Sequence, residues 1–140
     1  MPLLNSMVKM VAKPIPRMVS PKVHTMFDYV TVGVFFGTAA WFWRRNKRAS
    51  IASAICGGTE LALVLLTDYP GGVKKVLSYR AHREMDYGLA AMVATMPESL
   101  AFKEGKEVKF FRVQGALITL LGELSRPASI SARRVRSRAA

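Results

Sequence analysis

Two copies of one pattern carry the residues that could do chemistry. The copies are His24-Thr-Met-Phe-Asp28-Tyr29 and His82-Arg-Glu-Met-Asp86-Tyr87, and both follow the spacing His-x-x-x-Asp-Tyr. Residues four apart share a face of a helix, so each copy sets an imidazole beside a carboxylate. Such a pair suits a buried hydrogen-bond network, a metal site or a proton-handling site.

The two copies predict an internal duplication. Both fall within a short chain, and each one leads into an apolar segment. We call the separation along the chain between His24 and His82 the repeat offset. Two such copies in a short chain indicate a repeated unit, and we expect each unit to be a helical hairpin. Hairpins that run in the same sense place the starts of the first and third helices at one level, where the second and fourth helices end.

Composition favours a membrane protein. Half of the residues are hydrophobic, yet the net charge is +12. Lysine and arginine cluster in the tails and between apolar blocks, as expected for water-exposed ends that flank membrane spans. A protein that binds nucleic acid would more often carry basic residues along one helix face, so no nucleic-acid partner is expected. The single cysteine, Cys56, excludes an intramolecular disulfide, and we expect it to be a packing residue.

The apolar segments predict an all-α, polytopic membrane protein with four transmembrane helices in two tandem hairpin repeats and basic tails at both ends. The expected spans are about 23–43, 49–67, 82–97 and 110–124, within a bundle of residues 23–124. The last two spans are marginal in length, so protein neighbours would have to shield their polar groups. Residues 1–22 are expected to form a basic interfacial segment, with a disordered tail or a mitochondrial presequence as alternatives. Residues 125–140 form a basic tail.

Small residues and one carboxyl distinguish the first two spans. The glycines predicted to allow close helix packing are Gly33, Gly37, Gly57 and Gly58. Glu60 lies near the middle of the second span, where a charge is costly. It is expected to be a neutral, hydrogen-bonded structural carboxyl, with a proton or ligand site as the alternative.

The repeat predicts a polar collar at one end of the bundle. Asp68 follows Leu-Leu-Thr and Glu123 follows Leu-Leu-Gly, so these acids are expected to be equivalent residues at the ends of helices two and four. The predicted collar comprises His24, Asp28, Tyr29, Asp68, His82, Asp86, Tyr87 and Glu123. We expect it to be a structural network that joins the helix ends. A metal site and a proton-handling or haem site are the alternatives. No metal or cofactor is predicted, because the Glu-x-x-His pairs typical of carboxylate-bridged metals in helical bundles are missing from the sequence.

The paired His-x-x-x-Asp-Tyr segments resemble those of the SPW repeat family of small bacterial membrane proteins. The resemblance covers Val23 to Leu124. It departs in the tripeptide Ser-Pro-Trp, since the corresponding regions read Ala39-Ala40-Trp41 and Thr95-Met96-Pro97-Glu98. The resemblance implies a four-helix membrane fold and brings no established activity.

These observations predict a structural or accessory subunit of a larger membrane complex, for example one of the energy-transducing type, rather than an enzyme. Its expected partners are other membrane subunits and anionic lipid headgroups. The alternative is a stand-alone membrane protein with a metal, haem or proton-handling site at the collar. The expected location is the bacterial inner membrane, with the mitochondrial inner membrane as the alternative.

Overall fold

The computed structural model describes residues 17–103 and 105–125, and these residues form four α-helices without a β-strand. The helices are α1 (Pro21–Phe42), α2 (Lys47–Leu66), α3 (Tyr79–Ser99) and α4 (Lys106–Leu124). The prediction of an all-α fold with four helices is confirmed. Residues 1–16 of the predicted interfacial segment and 126–140 of the predicted tail lie outside the described residues, and α1 begins at Pro21, within the segment expected to precede it.

Local sequence explains where the helices begin. Ser20, Asn46 and Ser78 each accept a hydrogen bond from the backbone N–H three residues later, which caps the first turn of α1, α2 and α3. The start of α4 follows Gly105, whose φ of 122° is a conformation that glycine adopts at little cost. The third helix continues through Pro97 to Ser99, beyond the expected end at residue 97. Pro97 has no backbone N–H, so the last turn of α3 lacks one helical hydrogen bond.

Glycines allow close approach within each hairpin. Helix α1 packs on α2, α3 packs on α4, and the two hairpins meet through α2 and α3. A Cβ atom on Gly57 would lie 3.0 Å from the Cβ atom of Phe35, and one on Gly115 would lie 2.9 Å from the carbonyl oxygen of Ala90. The repeat offset also separates Gly57 from Gly115. The same close contact therefore recurs in both hairpins.

Three of the four glycines expected to pack helices do not do so among the described residues. Gly33, Gly37 and Gly58 are exposed, and a Cβ atom on any of them would meet nothing within 4 Å. The GxxxG pattern of α1 therefore faces away from the other described helices. The core lies instead between the aromatic and small side chains of all four helices, with Phe35, Phe42, Cys56, Val93 and Phe111 at its centre.

Two β-bridges connect the hairpins, and each joins the segment before one copy to the end of the other copy. Val19 forms a parallel β-bridge with Ser125, and Thr67 forms one with Leu77. The backbone N–H of Val19 donates to the carbonyl preceding Ser125 at 2.9 Å, and the N–H of Leu77 donates to the carbonyl preceding Thr67 at 2.8 Å. The repeat offset relates Val19 to Leu77 and Thr67 to Ser125, so the two bridges are equivalent. The start of each copy is therefore bound to the end of the other copy.

Among the described helices, only α2 is long and apolar enough to cross a membrane by length and composition alone. Helices α3 and α4 carry charged residues near both ends, and α1 contains Asp28. The expectation of four membrane spans is therefore not confirmed by the individual helices.

Candidate functional site

The two His-x-x-x-Asp pairs meet in one buried cluster, formed by His24 and Asp28 of α1 and His82 and Asp86 of α3. We call these four residues the His/Asp cluster. The Nε2 atom of His24 lies 3.3 Å from Asp28 Oδ1 and 3.2 Å from Asp86 Oδ2. The Nε2 atom of His82 lies 3.3 Å from Asp28 Oδ2 and 3.2 Å from Asp86 Oδ2. Both histidines are 0% exposed, so the cluster is shielded from solvent.

A hydroxyl group from the opposite hairpin contacts the other nitrogen of each imidazole. The Nδ1 atom of His24 lies 2.5 Å from Ser125 Oγ, and that of His82 lies 2.8 Å from Thr67 Oγ1. Each hydroxyl donates its own proton to the backbone carbonyl four residues earlier, at 2.6 Å in both cases. A hydroxyl has a single proton to donate, so Ser125 and Thr67 must accept from the imidazoles. Both Nδ1 atoms therefore carry a proton.

The Nε2 atoms of both rings point toward the carboxylates of the cluster. A neutral imidazole that carries its proton on Nδ1 presents a lone pair at Nε2. Both Nε2 atoms face carboxylate oxygens, and the Nε2 atom of His24 makes a hydrogen bond with Asp86 Oδ2 at 3.2 Å. The Nε2 atom of His82 is buried and makes no hydrogen bond with suitable geometry, although two carboxylate oxygens lie at 3.2 and 3.3 Å. One oxygen of Asp86, Oδ1, is also buried without a hydrogen-bond partner among the described residues.

Two tyrosines cover the cluster. Tyr69 comes from the connector between the hairpins, residues 67–78, and Tyr79 is the first residue of α3. The hydroxyl of Tyr69 donates to Asp28 Oδ2 at 2.9 Å, and its ring centroid lies 5.2 Å from that of His82. The ring of Tyr79 lies edge-on to His24 at 5.4 Å. Both tyrosines are 4% exposed. Burial, together with the neighbouring Asp28 carboxylate, raises the pKa of Tyr69, so this hydroxyl remains a proton donor.

Glu60 is a third buried acid near the cluster. It is 2% exposed, and its Oε2 atom has no hydrogen-bond partner among the described residues. It lies two helical turns before Thr67, the residue that directly follows α2, so it is on the face of α2 that leads to the cluster. The repeat offset pairs Glu60 with Ile118, which is also buried. Glu60 is therefore a feature of the first copy alone.

The two remaining acids of the predicted collar lie outside the cluster. Asp68 is 60% exposed and forms an ion pair with Lys75 at 3.2 Å. Glu123 accepts a hydrogen bond from the Tyr87 hydroxyl at 2.7 Å, and the Tyr29 hydroxyl donates to the backbone of the connector at 2.7 Å. The two tyrosines therefore attach the starts of α1 and α3 to neighbouring segments without touching the histidines.

The positions of the two hydroxyl residues could be read from the repeat. The Leu-Leu pairs predict that Asp68 and Glu123 are equivalent, but the repeat offset between the histidines pairs Thr67 with Ser125. These two residues end α2 and α4 with their side chains directed inward, so the next residue along the chain must point elsewhere. Tyr69 and Tyr79 had no such signal, because no local pattern shows how the connector folds over the cluster.

The cluster can hold helix ends together or bind a cation. Two imidazole nitrogens and two carboxylates converge in a buried space, and their ligand atoms lie within 4.8 Å of one another. Comparison with protein-family models, curated proteins and solved structures finds no match for this chain. The function is therefore inferred from the residues of the cluster and their geometry.

Proposed function

We propose that the chain is a small integral membrane subunit, with its four helices in the bilayer and at least one neighbouring membrane protein in contact with them. The observation that carries this proposal is the distribution of polarity. The cluster histidines and aspartates and Glu60 are buried, while large apolar side chains on all four helices are exposed. The exposed residues include Met26, Phe27, Val30, Trp41, Ile51, Ile55, Met92, Val113, Leu117 and Leu120. An apolar surface of this extent suits lipid or protein neighbours better than water.

Tryptophans at the end of α1 support an interface with water there. The guanidinium of Arg45 lies 5.3 Å from the ring centroid of Trp41, and the ammonium groups of Lys106 and Lys47 lie 5.4 Å from the rings of Trp41 and Trp43. Tryptophan and basic residues are enriched where membrane spans reach the headgroup layer. These residues lie at the opposite end of α1 from His24. One headgroup layer would then meet the tryptophans and the other would lie near the His/Asp cluster.

The limited apolarity of α3 and α4 supports the proposal of a neighbouring subunit, because neither helix meets the length and composition of a membrane span. Helices α3 and α4 need protein contacts to shield their charged ends in a bilayer. An apolar groove of about 420 Å³ lies between α1 and α4. Its lining includes Phe27, Val30, Val34, Leu117 and Leu121. We propose that an apolar helix of a neighbouring subunit occupies this groove, and that the His/Asp cluster holds the helix ends in the arrangement that forms it.

The membrane part of the proposal is tested by extraction. Membranes from cells that express the full chain are washed with alkaline carbonate and then with a mild detergent. We expect the protein to remain in the membrane pellet after carbonate and to enter solution only with detergent. Release by carbonate alone would contradict a membrane location.

The partner part is tested by purification from native membranes in mild detergent. We expect other membrane proteins to co-elute with the wild-type chain and to be lost from Leu117→Trp, which fills the groove. Met92→Trp is the matched control, because Met92 is an exposed residue of α3 outside the groove lining. A wild-type chain that elutes as a lone monomer, or a groove occupied only by lipid, would contradict the proposal of a subunit.

A further inference from the structure

We propose that the His/Asp cluster binds one divalent transition-metal ion of the zinc class. The ligands would be the Nε2 atoms of His24 and His82 and the carboxylates of Asp28 and Asp86. This site goes beyond the proposed subunit function and does not depend on the membrane location.

The positions of the protons give the first argument. Ser125 and Thr67 donate to backbone carbonyls, so they accept the Nδ1 protons of the two histidines. Imidazoles held in this way direct their Nε2 atoms at the centre of the cluster, where the carboxylate oxygens converge. A divalent cation at this centre would take the place of any proton on Nε2 and would bind the nitrogen lone pairs and the carboxylates together. Deprotonated Nε2 and carboxylate oxygen are both common zinc ligands.

The distances give the second argument. Hydrogen bonds between an imidazolium and a carboxylate are about 2.7–2.9 Å long. The four Nε2–oxygen distances are 3.2–3.3 Å. His24 Nε2 has hydrogen-bond geometry toward Asp86 Oδ2, whereas His82 Nε2 has none toward either aspartate. Neighbouring ligand atoms of a tetrahedral zinc site lie about 3.3 Å apart, because zinc–nitrogen and zinc–oxygen bonds are about 2.0–2.1 Å long. The observed Nε2–oxygen separations suit ligands of one ion, and binding would give His82 Nε2 the partner that it lacks among the described residues.

The charges and the second layer of contacts give the third argument. The two buried aspartates, 2% and 3% exposed, need positive charge nearby, and a divalent ion at the centre of the cluster would supply it. Histidines that bind metals usually donate their other N–H to a fixed acceptor, which orients the ring. Ser125 and Thr67 fill this role in the two copies, and the Tyr69 hydroxyl orients Asp28. The ligand set differs from the Glu-x-x-His pairs typical of carboxylate-bridged metals in helical bundles, because each copy supplies His-x-x-x-Asp.

The site would join the two copies. Each hairpin contributes one histidine and one aspartate as ligands, and each hydroxyl that orients a histidine comes from the other hairpin. An ion bound there would tie α1 to α3 directly, and the ends of α2 and α4 indirectly. Its expected role is structural, because all four protein ligands and both tyrosines enclose it.

The experiment uses the full chain, purified in detergent with a tag that lacks histidine. The protein is stripped with a chelator, titrated with Zn²⁺, and its metal content and melting temperature are measured. We expect one zinc ion per chain and a melting temperature that rises with the zinc concentration. Manganese or iron bound at one ion per chain and lost in the same ligand variants would support the site and change only the identity of the ion.

The variants separate coordination from folding. Asp86→Asn keeps the shape of the side chain and removes a ligand charge, and we expect it to abolish stoichiometric binding. Thr67→Val removes only the group that orients His82, and we expect zinc affinity to fall by about 10–100-fold. Glu60→Gln is the matched control, because this acid is equally buried but lies outside the ligand set; it should bind zinc as the wild type does.

Two results would overturn the proposal. One is wild-type protein that is folded after stripping and binds no Zn²⁺, Mn²⁺ or Fe²⁺ with a stoichiometry of one. The other is binding that Asp86→Asn leaves unchanged. Either result leaves the carbonate and co-purification tests unaffected, so failure of the metal site is distinguishable from failure of the subunit proposal.

Discussion

The two hairpins share the four residues of the His/Asp cluster and the hydroxyls that contact its imidazoles, and they differ in the residues that pack the bundle. Histidine, aspartate, an inward hydroxyl, a capping serine and a close-packed glycine all recur at the repeat offset. Packing positions have diverged: Phe35 corresponds to Val93 and Ser53 to Phe111, and all four side chains are buried. Apolar packing tolerates exchanges of size when neighbours compensate, whereas a cluster of lone pairs and protons does not. The repeated part of the molecule is therefore the His/Asp cluster with the hydroxyls that contact it.

The largest expected effect tests whether both copies support the cluster equally. His24→Ala and His82→Ala each remove one of the two imidazoles that contact both buried aspartates, and we expect each to lower the free energy of unfolding in detergent by about 3–5 kcal/mol. Thermal and denaturant melts of the two variants provide the measurement. Asp68→Asn is the control and should change little, because its ion pair is exposed. A large effect in one copy and a small effect in the other would break the equivalence.

The next effect distinguishes the two helix crossings. A methyl group on Gly115 would meet a backbone carbonyl at 2.9 Å, so we expect Gly115→Ala to destabilise the protein by about 1–3 kcal/mol. Gly57→Ala meets a side chain at 3.0 Å and should have a smaller effect. Gly33→Ala, which meets nothing, should stabilise α1 by about 0.5–1 kcal/mol. Equal losses of stability at all three positions would contradict the packing.

Glu60 is the sharpest difference between the copies. Glu60→Ile makes the first copy resemble the second, where Ile118 is buried. The change removes a buried carboxyl oxygen that lacks a partner among the described residues, so we expect stabilisation on the order of 1 kcal/mol. The reverse change, Ile118→Glu, should destabilise the protein. A variant Glu60→Ile that melts at a lower temperature than the wild type would indicate that this carboxyl has a partner essential to the fold.

The smallest effects concern the helix caps. Ser20→Ala and Ser78→Ala each remove one hydrogen bond at a helix start, and the repeat offset makes these two serines equivalent. Each change should lower stability by about 1 kcal/mol, and the two losses should add. Melts of the single and double variants measure this. Strong non-additivity would show that the two starts are coupled more tightly than their separate caps imply.

Local periodicity made part of this arrangement predictable. The four-residue spacing of His24 and Asp28 placed them on one face, and the repeat placed His82 and Asp86 at the same end of the bundle. The equivalence of Thr67 and Ser125 was also present in the repeat offset, but the Leu-Leu pairs gave a different alignment. The face of α1 that meets another helix was not predictable from GxxxG, because spacing alone does not show where a neighbour lies.

The proton positions on the two histidines test the central claim most directly, because each imidazole is held between a hydroxyl of one hairpin and the shared carboxylates. The chain contains two histidines, so ¹⁵N-histidine NMR of the detergent-solubilised protein reports both without overlap from others. We predict that both rings carry a proton on Nδ1, with the same pattern in each copy. A ring whose only proton lies on Nε2 would contradict the hydrogen bonds to Ser125 and Thr67, and with them the shared cluster.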